Sequence, residues 1–386
     1  MNSAKDKVVH RELAPDVLRG FALLGIILVN IGYFAVNSEN SINAEALAGA
    51  SNWWAGFLVW MLAQGKFYLL FSILFGYSSH YVIKGEKGNR KRWRMRALGL
   101  ILFGILHFTL LWHGDILFVY GVFALLLTWF LFKSDRALKI WSWVFYFVAS
   151  TILTLLALLL WFVEVTFGIE EVSQEVALDV VMQSGTYSES IPARLELWVM
   201  FAPIGLFVQG GFVLMMFLLG AYLARHNAFS TNGFLNYRKL MIYGFGLGLP
   251  LQGLSAFIGI NNLALEAPSQ ATYLGSTVFG FATAPLLTFG LIGLILWLVE
   301  NRVKTVEWMS YGGRMSLTIY ISQSVFMSFI FGPWGLGLFQ KIDYWLVIVM
   351  AIVIWLVLVG FAKVWFSKYK QGPLERVLTG FVRRFS

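Results

Sequence analysis

The sequence predicts an all-α membrane protein, a polytopic transmembrane helix bundle of about ten spans with both termini in the cytoplasm. Hydrophobic residues make up 59% of the chain, charged residues make up 13%, and the mean hydropathy is +0.73. These values lie outside the range of soluble domains. The apolar runs are continuous rather than alternating, which favours helices over a β-barrel. Because a helix needs roughly 20 apolar residues to cross the hydrocarbon core, each long run predicts one span.

The first predicted span, residues 15–36, carries the polar residues around which we expect the bundle to be organised. Asp16 and Arg19 are three residues apart and therefore share a helix face. Asn30 lies three helical turns further toward the opposite side. Because ionisable groups are costly in hydrocarbon, these residues indicate a functional site. The alternatives are a boundary ion pair for Asp16 and Arg19, and interhelical hydrogen bonding for Asn30.

The second apolar stretch, residues 53–83, is too long for one straight span and is predicted to divide near Gly65. Its first part is predicted to lie in the membrane interface, where aromatic residues anchor helices. The anchors are Trp53, Trp54 and Trp60.

The other nine spans are predicted at residues 66–83, 97–112, 116–132, 140–167, 197–224, 240–260, 275–299, 315–332 and 344–366. The sixth span is predicted to be tilted or broken near Gly210, and the seventh to kink at Pro250. This layout gives a cytoplasmic tail at residues 1–14, a single bundle domain at 15–366 and a basic cytoplasmic tail at 367–386.

Lys and Arg residues are distributed unequally between the two sides of this layout. Inner tails, loops and helix ends hold 24 of the 29, whereas the outer loops hold Arg194 and Lys341. Because positive charge is retained in the cytoplasm, this split predicts the orientation. The net charge of +9 is therefore attributed to topology and to anionic lipid, and no nucleic-acid partner is expected.

The third span and the turn after it contain the best candidates for catalysis, His107, His113 and Asp115. Imidazole suits general acid or base chemistry near neutral pH. A neighbouring carboxylate commonly fixes the tautomer of a histidine. The structural alternatives are that His107 hydrogen-bonds a neighbouring helix and that Asp115 caps the fourth span.

Other polar residues within or beside the spans could bind a substrate or support the structure. Lys66 could anchor a helix end, and Arg314 opens the ninth span. Gln323 cannot easily satisfy itself on its own helix and indicates a polar cavity, whereas the serines beside it can do so. The basic run at residues 90–96 is a topology signal that could also attract a phosphorylated nucleotide.

Several kinds of active site are excluded by the sequence. The chain has no cysteine, which excludes thiolate catalysis and Cys-ligated metal. It also lacks a P-loop, an HExxH helix and a nucleophile elbow. We therefore expect no metal site.

Five segments together resemble the YeiB-like family of bacterial membrane proteins, a family defined by a domain of unknown function. They are Asp16-x-x-Arg19-Gly20 with Asn30, KFYLLFSILFG (66–76), LHFTLLWHGDIL (106–117), GRMSLTIYISQS (313–324) and GPLERVL (372–378). That family distantly resembles a superfamily of transmembrane acyltransferases, which includes the lysosomal heparan N-acetyltransferase and bacterial O-acyltransferases.

The match to this superfamily has two departures. The O-acyltransferases carry an Arg-x10-His pattern in their first helix; Arg19 is in register, but Asn30 stands in place of the histidine. The heparan enzyme places a catalytic histidine shortly after this helix, and residues 31–52 contain none. His107, at a similar predicted depth, is the candidate replacement.

The resemblance implies an integral-membrane acyltransferase in the bacterial cytoplasmic (inner) membrane. It would pass an acyl group from cytoplasmic acyl-CoA, as co-substrate, to a hydroxyl or amine acceptor at the outer face. His107 is the predicted base or acyl carrier, Asn30 positions the acceptor or stabilises the oxyanion, and Asp115 lines the outer mouth. The predicted substrate-binding residues are Arg19, Asp16, Lys66, His113, Arg314 and Gln323.

Two other functions remain open at this point. Intramembrane titratable groups also suit a transporter or exporter of a small solute or lipid. The polar interior could alternatively be only structural, in a non-catalytic membrane partner or sensor. Membrane lipids are expected partners under each hypothesis, and a homo-oligomer is possible.

Overall fold

The structure is a computed structural model that describes residues 12–36, 42–168, 181–182, 185–230 and 233–386. Most of the predicted N-terminal tail therefore lies outside the described residues. Within these ranges the regular elements are helices, and no strand is present. This confirms the all-α fold class.

Sixteen α-helices form in the described part of the chain. They are α1 Leu13–Ala35, α2 Ala50–Leu62, α3 Lys66–Ile83, α4 Arg90–Leu110, α5 Leu117–Leu127, α6 Asp135–Phe167, α7 Tyr187–Ile204, α8 Gly210–Arg225, α9 Tyr237–Tyr243, α10 Leu249–Leu263, α11 Gln270–Asn301, α12 Val303–Val306, α13 Met309–Arg314, α14 Ser316–Phe331, α15 Tyr344–Lys368 and α16 Pro373–Phe385. Short π-helical turns join α7 to α8, at Gly205–Gln209, and α9 to α10, at Gly244–Gly248.

Eight continuous helical segments in the described ranges are long and apolar enough to cross a membrane. Two shorter apolar helices, α5 and α14, accompany them. Each of the ten predicted spans coincides with one of these segments, which confirms a polytopic helical bundle. The number of crossings and the side on which the termini lie stay predictions.

The long stretch before residue 83 divides where the sequence predicts. Gly65 has a positive φ of 83° between α2 and α3, a conformation that favours glycine. The predicted interfacial role of Trp60 is wrong: its side chain is only 3% exposed, and its Nε1 donates to Ser255 Oγ at 3.1 Å. Packing of α2 against α10 buries this indole, whereas Trp54 is 55% exposed.

Two later spans are interrupted by π-helical turns rather than by a simple kink. The break in the sixth span immediately precedes Gly210, as predicted. The break in the seventh span ends before Pro250, which is the second residue of α10, where proline is well tolerated. Gly244 packs directly against Gly290 of α11, so the break lies at a close contact between two helices.

Helix α1 lies near the centre of the bundle, as expected. In its most apolar window 61% of residues are buried, compared with 11% in α6, which forms part of the rim. Gly20 packs against the Met309 carbonyl and Gly313 against the Asp16 carbonyl, so a side chain at either glycine would collide with backbone. These contacts bring the beginning of α1 beside α13 and α14.

The predicted C-terminal tail contains a packed helix. One face of α16 buries Leu378 and Val382, and Leu378 lies directly over Gly99 of α4. Glu375 at its first turn reaches the beginning of α14. The last residues therefore complete the end of the bundle where α1, α4 and α14 begin, which we call the basic end.

Candidate functional site

A buried cluster of three side chains joins α4, the turn after it and α14. The His107 Nδ1 lies 2.8 Å from Asp115 Oδ1, and its Nε2 lies 2.8 Å from Ser324 Oγ. The His107 and Asp115 side chains are fully buried, and Ser324 is 1% exposed. We call these three residues the Asp–His–Ser cluster.

The short turn between α4 and α5 brings Asp115 back over His107. Gly104, one turn before His107, makes this possible, since a Cβ there would lie 2.6 Å from Asp115 Oδ2. The same carboxylate oxygen accepts a hydrogen bond from the Phe118 amide at 2.6 Å. This is the pattern of a helix N-cap, which confirms that Asp115 caps α5. Asp115 therefore has two roles: one carboxylate oxygen caps α5, and the other orients His107.

The two hydrogen bonds fit a neutral imidazole beside an ionised carboxylate. In that state Asp115 accepts from Nδ1–H of His107, and Nε2 accepts from the Ser324 hydroxyl. Ser324 thus differs from Ser142 and Thr288, whose hydroxyls donate to the backbone carbonyl four residues earlier.

Aromatic side chains surround the cluster. The Tyr320 ring lies 5.2 Å from the His107 ring, and the Trp112 ring lies 6.4 Å from it. The Tyr320 hydroxyl accepts a hydrogen bond from the Ile116 amide at 3.3 Å. Tyr320 and Trp112 therefore enclose the imidazole from two directions.

A cavity of about 550 Å³ opens at the basic end of the bundle. We call it the arginine cavity, because three arginines line it together with carboxylates, hydroxyls and aromatic rings. The charged residues among its lining are Glu12, Asp16, Arg19, Arg96, Arg314 and Glu375.

The carboxylates of the arginine cavity have partners close at hand. Asp16 Oδ1 accepts from Arg19 Nη1 at 2.9 Å. Glu375 accepts from the Leu317 amide at 2.8 Å and from the Thr318 hydroxyl at 2.6 Å, which caps α14. Glu12 accepts from the Tyr77 hydroxyl at 2.8 Å.

Two of the three arginines retain buried donors without a partner in the described residues. The Nε atoms of Arg96 and Arg314 make no hydrogen bond there. The Arg314 guanidinium stacks over the Phe366 ring at 4.0 Å, which fixes its orientation. The arginine cavity therefore offers guanidinium donors to an anionic ligand.

A second hollow of about 140 Å³ continues from the arginine cavity into the bundle. The two share Phe71, Phe75, Arg96, Ser316 and Glu375. At its far end the second hollow reaches Ile116 and Tyr320. Tyr320 lies directly against His107, so the hollow ends one aromatic ring from the Asp–His–Ser cluster.

A small pocket of about 30 Å³ lies on the other side of the cluster, toward the predicted outer face. We call it the outer pocket; it is lined by Trp112, His113, Arg194, Ser328 and Trp334, among others. Arg194 is 2% exposed, and its Nη2 has no partner among the described residues. Its other nitrogens donate to the Thr109 carbonyl and the Ser190 hydroxyl.

The predicted substrate-binding residues fall into separate places. Asp16, Arg19 and Arg314 line the arginine cavity, and His113 lines the outer pocket. The Lys66 Nζ donates to the Trp60 and Gln64 carbonyls, both at 2.7 Å, and so supports the end of α2.

Gln323 and Asn30 do not line these cavities. The Gln323 amide donates to the Leu23 carbonyl at 3.1 Å, so it joins α14 to α1. No hydrogen bond joins Asn30 to His107 in the described residues, and both ring nitrogens of His107 are bonded to Asp115 and Ser324. The depth of Asn30 along α1 did not determine which helix faces His107.

Sequence reasoning missed Ser324, Arg96 and Glu375 as individual site residues. A helical serine can bond to its own backbone, so its position in a span does not by itself indicate a site role for Ser324. For Ser324 and Glu375, the only sequence feature that indicated a site role was their place in segments that carry the family resemblance. These segments are GRMSLTIYISQS for Ser324 and GPLERVL for Glu375.

Comparison with known proteins supports that resemblance over nearly the whole chain. Residues 223–383 match the family model described as "Protein of unknown function (DUF418)". The chain is 28% identical to the Uncharacterized protein YeiB of Escherichia coli (strain K12), with 95% of each chain covered. It is 27% identical to the Uncharacterized protein YxaH of Bacillus subtilis (strain 168), with 93% of this chain and 91% of the relative covered.

A third relative, the "Uncharacterized 39.9 kDa protein in amylase 3'region" of Bacillus acidopullulyticus, is 27% identical over 94% of this chain and 91% of its own length. The matches extend well beyond the C-terminal part that the family model covers. Together with the apolar helices, they indicate a multi-pass membrane protein that is similar to the YeiB-like proteins over nearly its whole length.

Proposed function

We propose that the protein is an acyltransferase of the bacterial cytoplasmic membrane, which moves an acyl group from cytoplasmic acyl-CoA to an acceptor at the outer face. The observation that carries this proposal is the position of His107. It is oriented by Asp115 and lies between the hollow from the arginine cavity and the outer pocket. A base in this position is within one side chain of both substrates.

The arginine cavity is the proposed donor site. The phosphates of coenzyme A would bind to the guanidinium groups of Arg19, Arg96 and Arg314, with charge-assisted hydrogen bonds. The cavity's volume of about 550 Å³ is within the usual range for small-molecule sites. The narrower hollow beyond it would hold the thioester end against Tyr320.

The outer pocket is the proposed acceptor site. His113, Ser328 and the unpartnered Nη2 of Arg194 offer polar contacts there, and Trp112 connects the pocket to His107. His107 would take a proton through Nε2, because Asp115 keeps the proton on Nδ1. Asn30 has no part in this proposal, because Ser324 is the group at Nε2.

The test is transfer by purified full-length protein in lipid nanodiscs. Labelled acetyl-CoA and longer acyl-CoAs are supplied with and without an extract of bacterial membranes. We expect release of coenzyme A and a labelled product that requires the extract. Absence of both with every donor would contradict the proposed function.

A matched pair of variants tests the donor site. Arg96 lines the arginine cavity, whereas Arg94 on the same helix is exposed and does not. Arg96→Ala should weaken acyl-CoA binding about tenfold or more by calorimetry, since a charge-assisted hydrogen bond contributes about 1.5–3 kcal/mol. Arg94→Ala should leave it unchanged; equal affinities in both variants would place coenzyme A elsewhere.

Transport is the second candidate function. It is favoured by the hollows that lie on either side of the buried titratable pair His107 and Asp115. The same nanodisc experiment separates the two. A transporter would leave the thioester bond intact while acyl transfer consumes it.

A further inference from the structure

We infer that Ser324 is a nucleophile that carries the acyl group, so that transfer takes place in two steps through an acyl ester on its Oγ. This inference rests on the proposed function and gives it a chemical route. Asp115, His107 and Ser324 are joined in order by two hydrogen bonds of 2.8 Å. A nucleophile bonded to a base that is oriented by a third group is the arrangement that activates a hydroxyl. Such an arrangement is recognised by geometry rather than by order in the chain.

The occupancy of the imidazole argues against direct transfer. Both ring nitrogens of His107 are already bonded, Nδ1 to Asp115 and Nε2 to Ser324. An acceptor hydroxyl reaches Nε2 only after Ser324 moves away, and the imidazole itself has no free nitrogen to acylate. The Ser324 oxygen is the nucleophile already placed against the base.

The hydrogen bonding of Ser324 supports the same conclusion. A serine that only fills a helix commonly donates to the carbonyl four residues earlier, as Ser142 does. The one hydrogen bond of the Ser324 hydroxyl in the described structure goes to His107 Nε2 instead. The O–H of Ser324 is consequently not used by the backbone.

Helix α14 places Ser324 between the two proposed substrate sites. Tyr320, one turn earlier, lines the hollow that leads from the arginine cavity. Ser328, one turn later, lines the outer pocket. Residues four apart share one face of a helix, so the three form a line from donor to acceptor. A covalent carrier at its centre means that the two substrates need never occupy the site together.

The two steps balance without any further reactant. In the first, Ser324 Oγ attacks the thioester carbonyl carbon and its proton passes to His107 Nε2. The C–S bond breaks, and the proton leaves with the thiolate as free coenzyme A. In the second, the acceptor loses its proton to Nε2 and attacks the ester carbon. The C–O bond to Ser324 breaks, and the proton returns to Oγ.

The first experiment needs no substrate. A fluorophosphonate, which phosphonylates activated serines with loss of fluoride, is applied to the full chain in nanodiscs and the adduct is located by peptide mass spectrometry. We expect one adduct at Ser324, absent in Ser324→Ala and reduced at least 100-fold in rate in His107→Gln. Ser142→Ala is the matched control, a buried serine bonded to backbone, and should label as the wild type does. Absence of wild-type labelling, or labelling that persists in Ser324→Ala, would overturn the inference.

The second experiment uses labelled acyl-CoA without acceptor. We expect a stable acyl adduct on Ser324 and a loss of transfer of about 1,000-fold or more in Ser324→Ala. Transfer at the wild-type rate in Ser324→Ala would show that the acyl group passes directly to the acceptor. That result would contradict the covalent route but not the proposed function. If no acyl-CoA reacts at all, the proposed function fails, and the fluorophosphonate result still decides whether Ser324 is activated.

Discussion

His107 is bonded on both sides, so two substitutions separate its chemical role from its structural one. His107→Gln retains hydrogen-bonding atoms but has no basic nitrogen, whereas His107→Ala leaves the buried Asp115 carboxylate without its imidazole partner. We expect both variants to lose transfer, because neither can accept a proton.

Stability should distinguish the same two variants. Loss of a buried hydrogen-bond partner costs about 1–3 kcal/mol, so His107→Ala should unfold at a lower temperature than His107→Gln in a thermal melt of the detergent-solubilised protein. If His107→Gln transferred acyl groups at the wild-type rate, the imidazole would be only a structural link between helices.

For Lys66 we expect a substitution to lower stability without reducing acyl transfer. Its Nζ donates to two carbonyls near the end of α2 and is buried there. Lys66→Met should lower the free energy of unfolding by about 1–3 kcal/mol, and the folded protein should still transfer. Lys341→Met is the control, because Lys341 donates to one carbonyl at an exposed position. Equal melting curves for the two variants would contradict this account.

At the scale of elements, the turn between α4 and α5 depends on close approach at Gly104. An added Cβ would meet the Asp115 carboxylate and the beginning of α5. Gly104→Ala should therefore move Asp115 away from His107, and we expect transfer to fall at least tenfold. Gly360 of α15 has nothing within 4 Å of the added Cβ. Gly360→Ala should be neutral or stabilising by up to about 1 kcal/mol, because alanine is the better helix former. Unchanged transfer in Gly104→Ala would show that the turn accommodates the methyl group.

Helix α16 is the other element whose role can be measured. Glu375 accepts hydrogen bonds from the first residues of α14 and lines both hollows. Glu375→Ala should lower the free energy of unfolding by about 0.5–2 kcal/mol, as other lost helix caps do. The exposed Glu307 provides a control, and Glu307→Ala should melt with the wild type. A result in which both variants melt together would mean that α14 does not need this cap.

At the scale of the whole molecule, the charge distribution predicts orientation. The chain has no cysteine, so single cysteines can be introduced and labelled with an impermeant thiol reagent in intact cells. Gly88→Cys, in the basic loop, should label only after the membrane is opened, because positively charged loops stay in the cytoplasm. Lys341→Cys should label from outside. Labelling of position 88 in intact cells would reverse the predicted topology.

Hydropathy predicted the helices well because the bilayer constrains length and composition locally. The break at Gly65 and the one before Gly210 were both visible in the sequence. Hydropathy therefore predicts where a residue lies along its helix. It does not predict which way the helix is rotated about its axis or which helix lies beside it. Asn30 has a suitable depth, yet α14 supplies the partner of His107.

Long-range contacts account for the other differences between sequence and structure. The bonds from Glu375 to Leu317 and Thr318 join residues more than 50 positions apart. Trp60 has the residue type of an interfacial anchor, but its environment is decided by α10, which follows much later in the chain. A pattern within one segment carries no information about such neighbours.

The cap that Glu375 places on α14 also has a consequence for biosynthesis. A growing chain emerges from the ribosome with its N-terminal part first, so α1, α4 and α14 are inserted while residues 373–385 are still being made. Until those last residues are released, the amides that begin α14 lack their carboxylate. A chain that stops short of residue 373 therefore keeps its membrane helices but leaves the first amides of α14 without their carboxylate partner.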